Sequence, residues 1–175
     1  MKKIVATSVI SLMVCTQVFC QKGGYSVGLG PSLGFPVFNN NFSYYYKNGI
    51  GGSVQANFAV SKLGSITTNV LLISIGAKNL PVTNKSSLTL IKAGYKTNFL
   101  NSGFFVGIDA GLARYGSGNS NFVIGGTVGY TFTVSKRSYI DLFPSYNRIL
   151  GTGNNNMWLT ANVLYRFNLK RKNKQ

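Results

Sequence analysis

The residues Phe122–Val134, FVIGGTVGYTFTV, alternate in polarity. Phe122, Ile124, Val128, Tyr130, Phe132 and Val134 share one parity; Val123, Gly125, Thr127, Gly129, Thr131 and Thr133 share the other. A period of two over that length specifies a strand with one apolar face. The second face is the more constraining one. It carries Gly and Thr and no charge, whereas a solvated sheet face in a soluble protein normally carries Lys and Glu. Small uncharged residues suit the interior of a narrow closed barrel, where side chains must fit and water is scarce.

The same pattern recurs along the chain. Tyr25–Val37 sets Tyr25, Val27, Leu29, Leu33, Phe35 and Val37 against Ser26, Gly28, Gly30, Ser32 and Gly34. Pro31 lies inside this strand and cannot donate a ladder hydrogen bond, which predicts a bulge or irregularity there. Ile50–Val60, Ile66–Ala77, Ser87–Phe99, Phe104–Arg114, Tyr139–Ile149 and Met157–Leu169 complete a set of eight with Phe122–Val134. In Ile66–Ala77, Leu71, Ile73 and Ile75 read as the apolar face, yet Ile66 and Val70 sit on the opposite parity. A bulge that switches the face would reconcile the two halves.

Strands of about 10–13 residues match the roughly 9–11 needed to cross a bilayer on a tilt. The connections alternate. Phe38–Gly49, Lys78–Lys85, Tyr115–Asn121 and Gly151–Asn156 are long; Ser61–Gly64, Leu100–Gly103 and Ser135–Ser138 are short. Short periplasmic turns and longer outer loops are the signature of an even-stranded outer-membrane barrel. Tyr25, Phe58, Phe99, Phe104, Phe132, Tyr165 and Phe167 would gather toward the short-turn end, and Phe35, Phe122 and Tyr146 toward the other, as interfacial girdles do. The reading is therefore an all-β, eight-stranded antiparallel up-and-down transmembrane β-barrel spanning residues 21–169. Its rival is a soluble secreted barrel with the apolar face inside, around an apolar ligand.

The amino terminus, Met1–Cys20, reads as a secretory signal peptide: Lys2 and Lys3, then the apolar run Ile4–Val14, then Val18 and Cys20 at the −3 and −1 positions. The apolar run is too short to span a bilayer as a helix, which disfavours a retained anchor. Lipid attachment at Cys20 is disfavoured by the bulky Phe19 before it. Cleavage after Cys20 also removes Cys15, leaving no thiol for a disulfide or a metal site. The expected location is the cell outer membrane. Residues 170–175, KRKNKQ, form a basic tail.

Only 11% of residues are charged, against about 25% in soluble domains. There is no His and no Glu, and the two acids are Asp109 and Asp141. A His-assisted nucleophile is excluded by this inventory, and a carboxylate pair would have to come from two different strands. No enzyme activity, cofactor or metal is expected. The net charge of +16 points to anionic partners such as lipid headgroups; no nucleic-acid-binding motif accompanies it, so nucleic acid is not expected.

The charged residues of the polar face are the candidate site. Lys92, Lys96, Asp109, Asp141 and Arg166 all carry lumen parity, which predicts a buried ionic network, because unpaired charge there is unfavourable. A last hairpin symmetric about Gly151–Asn156 places Asp141 directly opposite Arg166. A short turn at Leu100–Ser102 brings Lys92 beside Asp109. The network reads first as structural neutralisation and second as a gate or ion path. Phe42, Tyr44, Tyr45 and Tyr46, in the longest outer loop, are candidates for surface contacts. Lys62, Lys136, Arg137, Lys170, Arg171 and Lys172 form a candidate periplasmic patch for anionic headgroups.

With the signal peptide, the eight alternating strands and the ending Tyr165–Arg166–Phe167, the chain resembles small OmpA/OmpX-like, porin-family outer-membrane β-barrels. In that family the last strand ends on an aromatic read by the barrel-assembly machinery; here Phe167 is followed by eight more residues. The resemblance implies an integral outer-membrane protein with a structural or surface-interaction role and a largely filled lumen. A narrow pore for small solutes is the alternative, as is an accessory barrel in export or envelope assembly with an envelope protein partner.

Overall fold

The computed structural model describes residues 24–37, 46–61, 63–77, 86–99, 102–116, 118–151 and 156–169. They form strands β1 (Tyr25–Val37), β2 (Tyr46–Ala59), β3 (Gly64–Ala77), β4 (Ser86–Asn98), β5 (Phe104–Tyr115), β6 (Ser120–Thr133), β7 (Ser138–Leu150) and β8 (Asn156–Leu169). Each strand pairs antiparallel with the next, and β1 pairs with β8, so the sheet closes and leaves no edge. The signal segment 1–20, the tail 170–175, Phe42, Tyr44, Tyr45, Lys62, Lys170, Arg171 and Lys172 lie outside the described residues, as does the side chain of Tyr46, the first residue of β2.

Parity assigns the two faces. Ile108 is 73% exposed and Ile50 66%, with Leu29, Leu72, Ile91 and Val128 also open, while Asp141 and Asn147 are fully buried. Soluble proteins do the reverse. The outer wall also carries ring pairs close to the short turns: Phe104 on Tyr130 at 4.8 Å, Tyr130 on Phe132 at 4.6 Å and Tyr165 on Phe167 at 4.6 Å.

Two expectations from the sequence are corrected, and a third takes a specific form. β3 has no face-switching bulge: its register with β4 runs unbroken from Gly64↔Thr97 to Ile75↔Ser86. Ile66, Val70 and Leu72 face out, and Leu71, Ile73 and Ile75 face in, fully or almost fully buried. The lumen itself turns apolar at that height. At Pro31 the expected irregularity takes the form of a gap and not a bulge: Gly30 and Pro31 are unpaired with β8 between Leu29↔Tyr165 and Ser32↔Asn162, and the register continues across them. Finally, β5 and β6 extend to Tyr115 and Ser120, so their connection is no longer than the turn between β6 and β7.

The interior is layered. At the end of the 38–45, 78–85 and 151–155 connections, Leu71, Ile73, Ile75, Leu88, Leu90, Ala113, Val123, Ile149 and Trp158 form one packed cluster, with Tyr115 against it. Trp158 Nε1 donates to Tyr115 Oη at 2.8 Å, which satisfies the indole inside the plug. Polar residues fill the middle. A smaller cluster of Phe105, Phe143 and Leu164 lies beneath them.

Candidate functional site

β4 delivers both lumen lysines, because Leu88, Leu90, Lys92, Gly94 and Lys96 all point inward on one parity. Room for the long side chains comes from glycine on the neighbouring strands. Lys92 is paired with Gly111 and Lys96 with Gly107; Asp109 has Gly94 on one side and Gly125 on the other; Arg166 is paired with Gly28. A Cβ on Gly125 would collide with Asp109 Oδ1, and one on Gly94 would crowd the Asp109 Cβ at 2.7 Å.

In mid-lumen, Lys92 Nζ donates to Asp109 Oδ2 at 2.8 Å and to Asn147 Oδ1 at 2.7 Å. The second bond crosses the lumen from β4 to β7. Asn147 in turn donates through Nδ2 to Ser145 O and Thr160 Oγ1. Across the β1–β8 seam, Ser32 Oγ donates to Asn162 Oδ1 at 2.7 Å. Beside Lys92 and Asp109, toward Gln55, Thr67 and Asn69, the space measures about 20 Å³, about one water molecule. Gln55 Oε1, Asn69 Oδ1 and Asp109 Oδ1, whose residues line it, have no hydrogen-bond partner among the described residues.

Nearer the short turns, Asp141 is wholly enclosed. It accepts from Arg166 Nε at 2.9 Å and Nη2 at 3.2 Å, from Thr131 Oγ1 at 2.7 Å and from Lys96 Nζ at 3.3 Å. The bidentate arginine fork is the geometry that best offsets burial of a carboxylate. Lys96 also lies 3.5 Å over the Phe105 ring, and the Arg166 guanidinium 4.8 Å over Tyr139. Asp141 is not directly opposite Arg166: the ladder pairs Asp141 with Leu164 and Tyr139 with Arg166. The two-residue offset keeps both on the lumen face, and the guanidinium reaches the carboxylate diagonally.

All five lumen charges from the sequence thus fall into two clusters, Lys92–Asp109 and Lys96–Asp141–Arg166. Asn147, Thr131 and Tyr139 were not singled out by sequence; their lumen parity was the available signal. Lys136 and Arg137 are exposed in the β6–β7 turn, whose Arg137 carbonyl accepts from Asn168 N at 2.8 Å. No cluster of His, Cys, Asp or Glu suited to a metal occurs among the described residues.

No family model matches the sequence, and no curated protein matches it significantly. Solved structures do match in shape, and small eight-stranded outer-membrane barrels are among them. Neisserial surface protein A superposes with a TM-score of 0.69 at 14% identity, covering 83% of this chain and 97% of its own. Ail, the attachment invasion locus protein of Yersinia pestis, superposes at 0.56 and 12% identity, covering 85% and 99%. Ail in complex with the heparin analogue sucrose octasulfate gives 0.53 at 16% identity, covering 85% and 99%. The likeness is one of fold.

Proposed function

We propose that this chain is an exported, integral outer-membrane β-barrel that acts through its surfaces, not as a channel or an enzyme. The observation that carries this reading is the filled lumen. A nine-residue apolar plug sits above two ionic clusters, and the space beside the Lys92–Asp109 pair holds about one water. The outward belt of Ile, Leu and Val with ring pairs at one end supports insertion in hydrocarbon. Ail offers a parallel for a surface role on this fold, being an attachment invasion locus protein. Surface contacts would then fall to the 38–45 connection, with Phe42, Tyr44 and Tyr45, and anionic headgroups to Lys136 and Arg137 at the opposite end. Biogenesis would require the barrel-assembly machinery.

The test is conductance of the folded protein in planar bilayers. A filled lumen gives no unitary steps. Reproducible steps would overturn the reading in favour of a narrow pore. Fractionation belongs beside it: the protein should be found in the outer membrane and run differently on gels before and after boiling. Recovery from the soluble periplasm would reject membrane insertion.

A further inference from the structure

Charge is not evenly matched inside the barrel. Lys92 has Asp109 to itself, but Lys96 and Arg166 share Asp141. The surplus positive charge faces a cavity of about 180 Å³ that reaches Ser61 and Gly64 at the β2–β3 turn. Lys96 is 5% exposed and makes one hydrogen bond among the described residues, at 3.3 Å, so most of its donor capacity is unspent on them. Arg166 commits Nε and Nη2 to Asp141, while Nη1 meets only Ser26 Oγ, at 3.5 Å, among the described residues. Ser65, paired with Lys96 across the ladder, and Asn98 line the same space. Buried surplus charge of this kind calls for a counter-ion.

The β2 wall, between the strands that carry Lys96 and Arg166, adds a second requirement. Asn57 Oδ1 is buried, belongs to a residue lining the same cavity, and has no donor among the described residues. A ligand that satisfies both walls brings negative charge and an O–H donor together. Hydrogen phosphate carries both on one centre; sulfate and chloride at neutral pH do not. We propose that this vestibule binds hydrogen phosphate, with Lys96 Nζ and Arg166 Nη1 as its anion contacts and Asn57 Oδ1 accepting its hydroxyl. A phospholipid headgroup held at the outer wall by its chains would not reach these lumen groups. The site stands apart from the question of conductance, because the plug lies at the other end.

The full-length mature protein in phospholipid-free detergent serves for the test. The readout is the temperature at which its folded gel mobility is lost, with inorganic phosphate, sulfate and chloride compared at equal ionic strength. About 10 mM phosphate should raise that midpoint by roughly 3 °C, and sulfate and chloride should not. Lys96→Met should abolish the response; Lys136→Gln, in the exposed turn, should retain it. Ser65→Asp places a carboxylate across from Lys96, so it should raise the midpoint without phosphate and remove the response to it. No response in the wild type, an equal response to sulfate, or a response surviving in Lys96→Met would overturn the assignment. If Lys96→Met does not fold, a phosphate response surviving in Ser65→Asp overturns it instead. Phosphatidic acid should give no effect; a response to that lipid with none to free phosphate would reject a soluble ligand.

Discussion

Asp141 accepts hydrogen bonds from three residues on three other strands, Lys96, Thr131 and Arg166, and none of its surface is open. Asp141→Asn therefore leaves two buried cations without a counter-charge. We expect a loss of about 3–5 kcal/mol, measured by urea unfolding in lipid vesicles. Arg166→Met should lose less than half as much, because Lys96 still neutralises the carboxylate. An equal loss in the two variants would reject the shared-anion arrangement. Gly125→Ala should also destabilise, since its Cβ meets Asp109 Oδ1 and the Tyr146 carbonyl. The charged residues were legible in the sequence because charge on a Gly/Ser/Thr face is conspicuous. Their partners were less so. Parity fixes the face of a side chain but not its height, and a hairpin offset by two residues keeps the face while changing every neighbour. Lys96 thus finds Asp141 on β7, a contact that no turn length could have indicated.

The strands themselves were legible wherever the two faces differ in chemistry. β6 and β8 do differ; β3 does not in its second half, where Leu71, Ile73 and Ile75 line the lumen and Val70 and Leu72 the outside. Alternation then carries no contrast, and parity alone puts Leu71, Ile73 and Ile75 on the apolar outer face. The structure makes the assignment testable. Single cysteines at Leu72 and Ile73, spin-labelled in vesicles, should differ sharply in accessibility to a lipid-soluble quencher: high at Leu72, low at Ile73. The reverse order would restore the face switch. Connection lengths were the weakest signal. Gly, Ser and Asn in Tyr115–Asn121 suggest a loop, but Asn121 pairs with Ala113 and Ser120 with Arg114 in the ladder. Closure supplies those hydrogen bonds whatever the local propensity.

At the scale of the molecule, the lumen is blocked in layers, and no single layer is the seal. Trp158→Ala should lose about 3–5 kcal/mol from the plug yet still give no conductance steps, because the Lys92 and Asp141 clusters remain below it. Steps appearing in that variant alone would make the plug the gate. The cross-lumen bonds have one more consequence. Lys92 to Asn147 and Lys96 to Asp141 both tie β4 to β7. A hollow tube of eight strands flattens easily under sideways load. One braced from wall to wall by two charged spokes does not, so a sideways load turns this barrel as a rigid rod before it changes its cross-section.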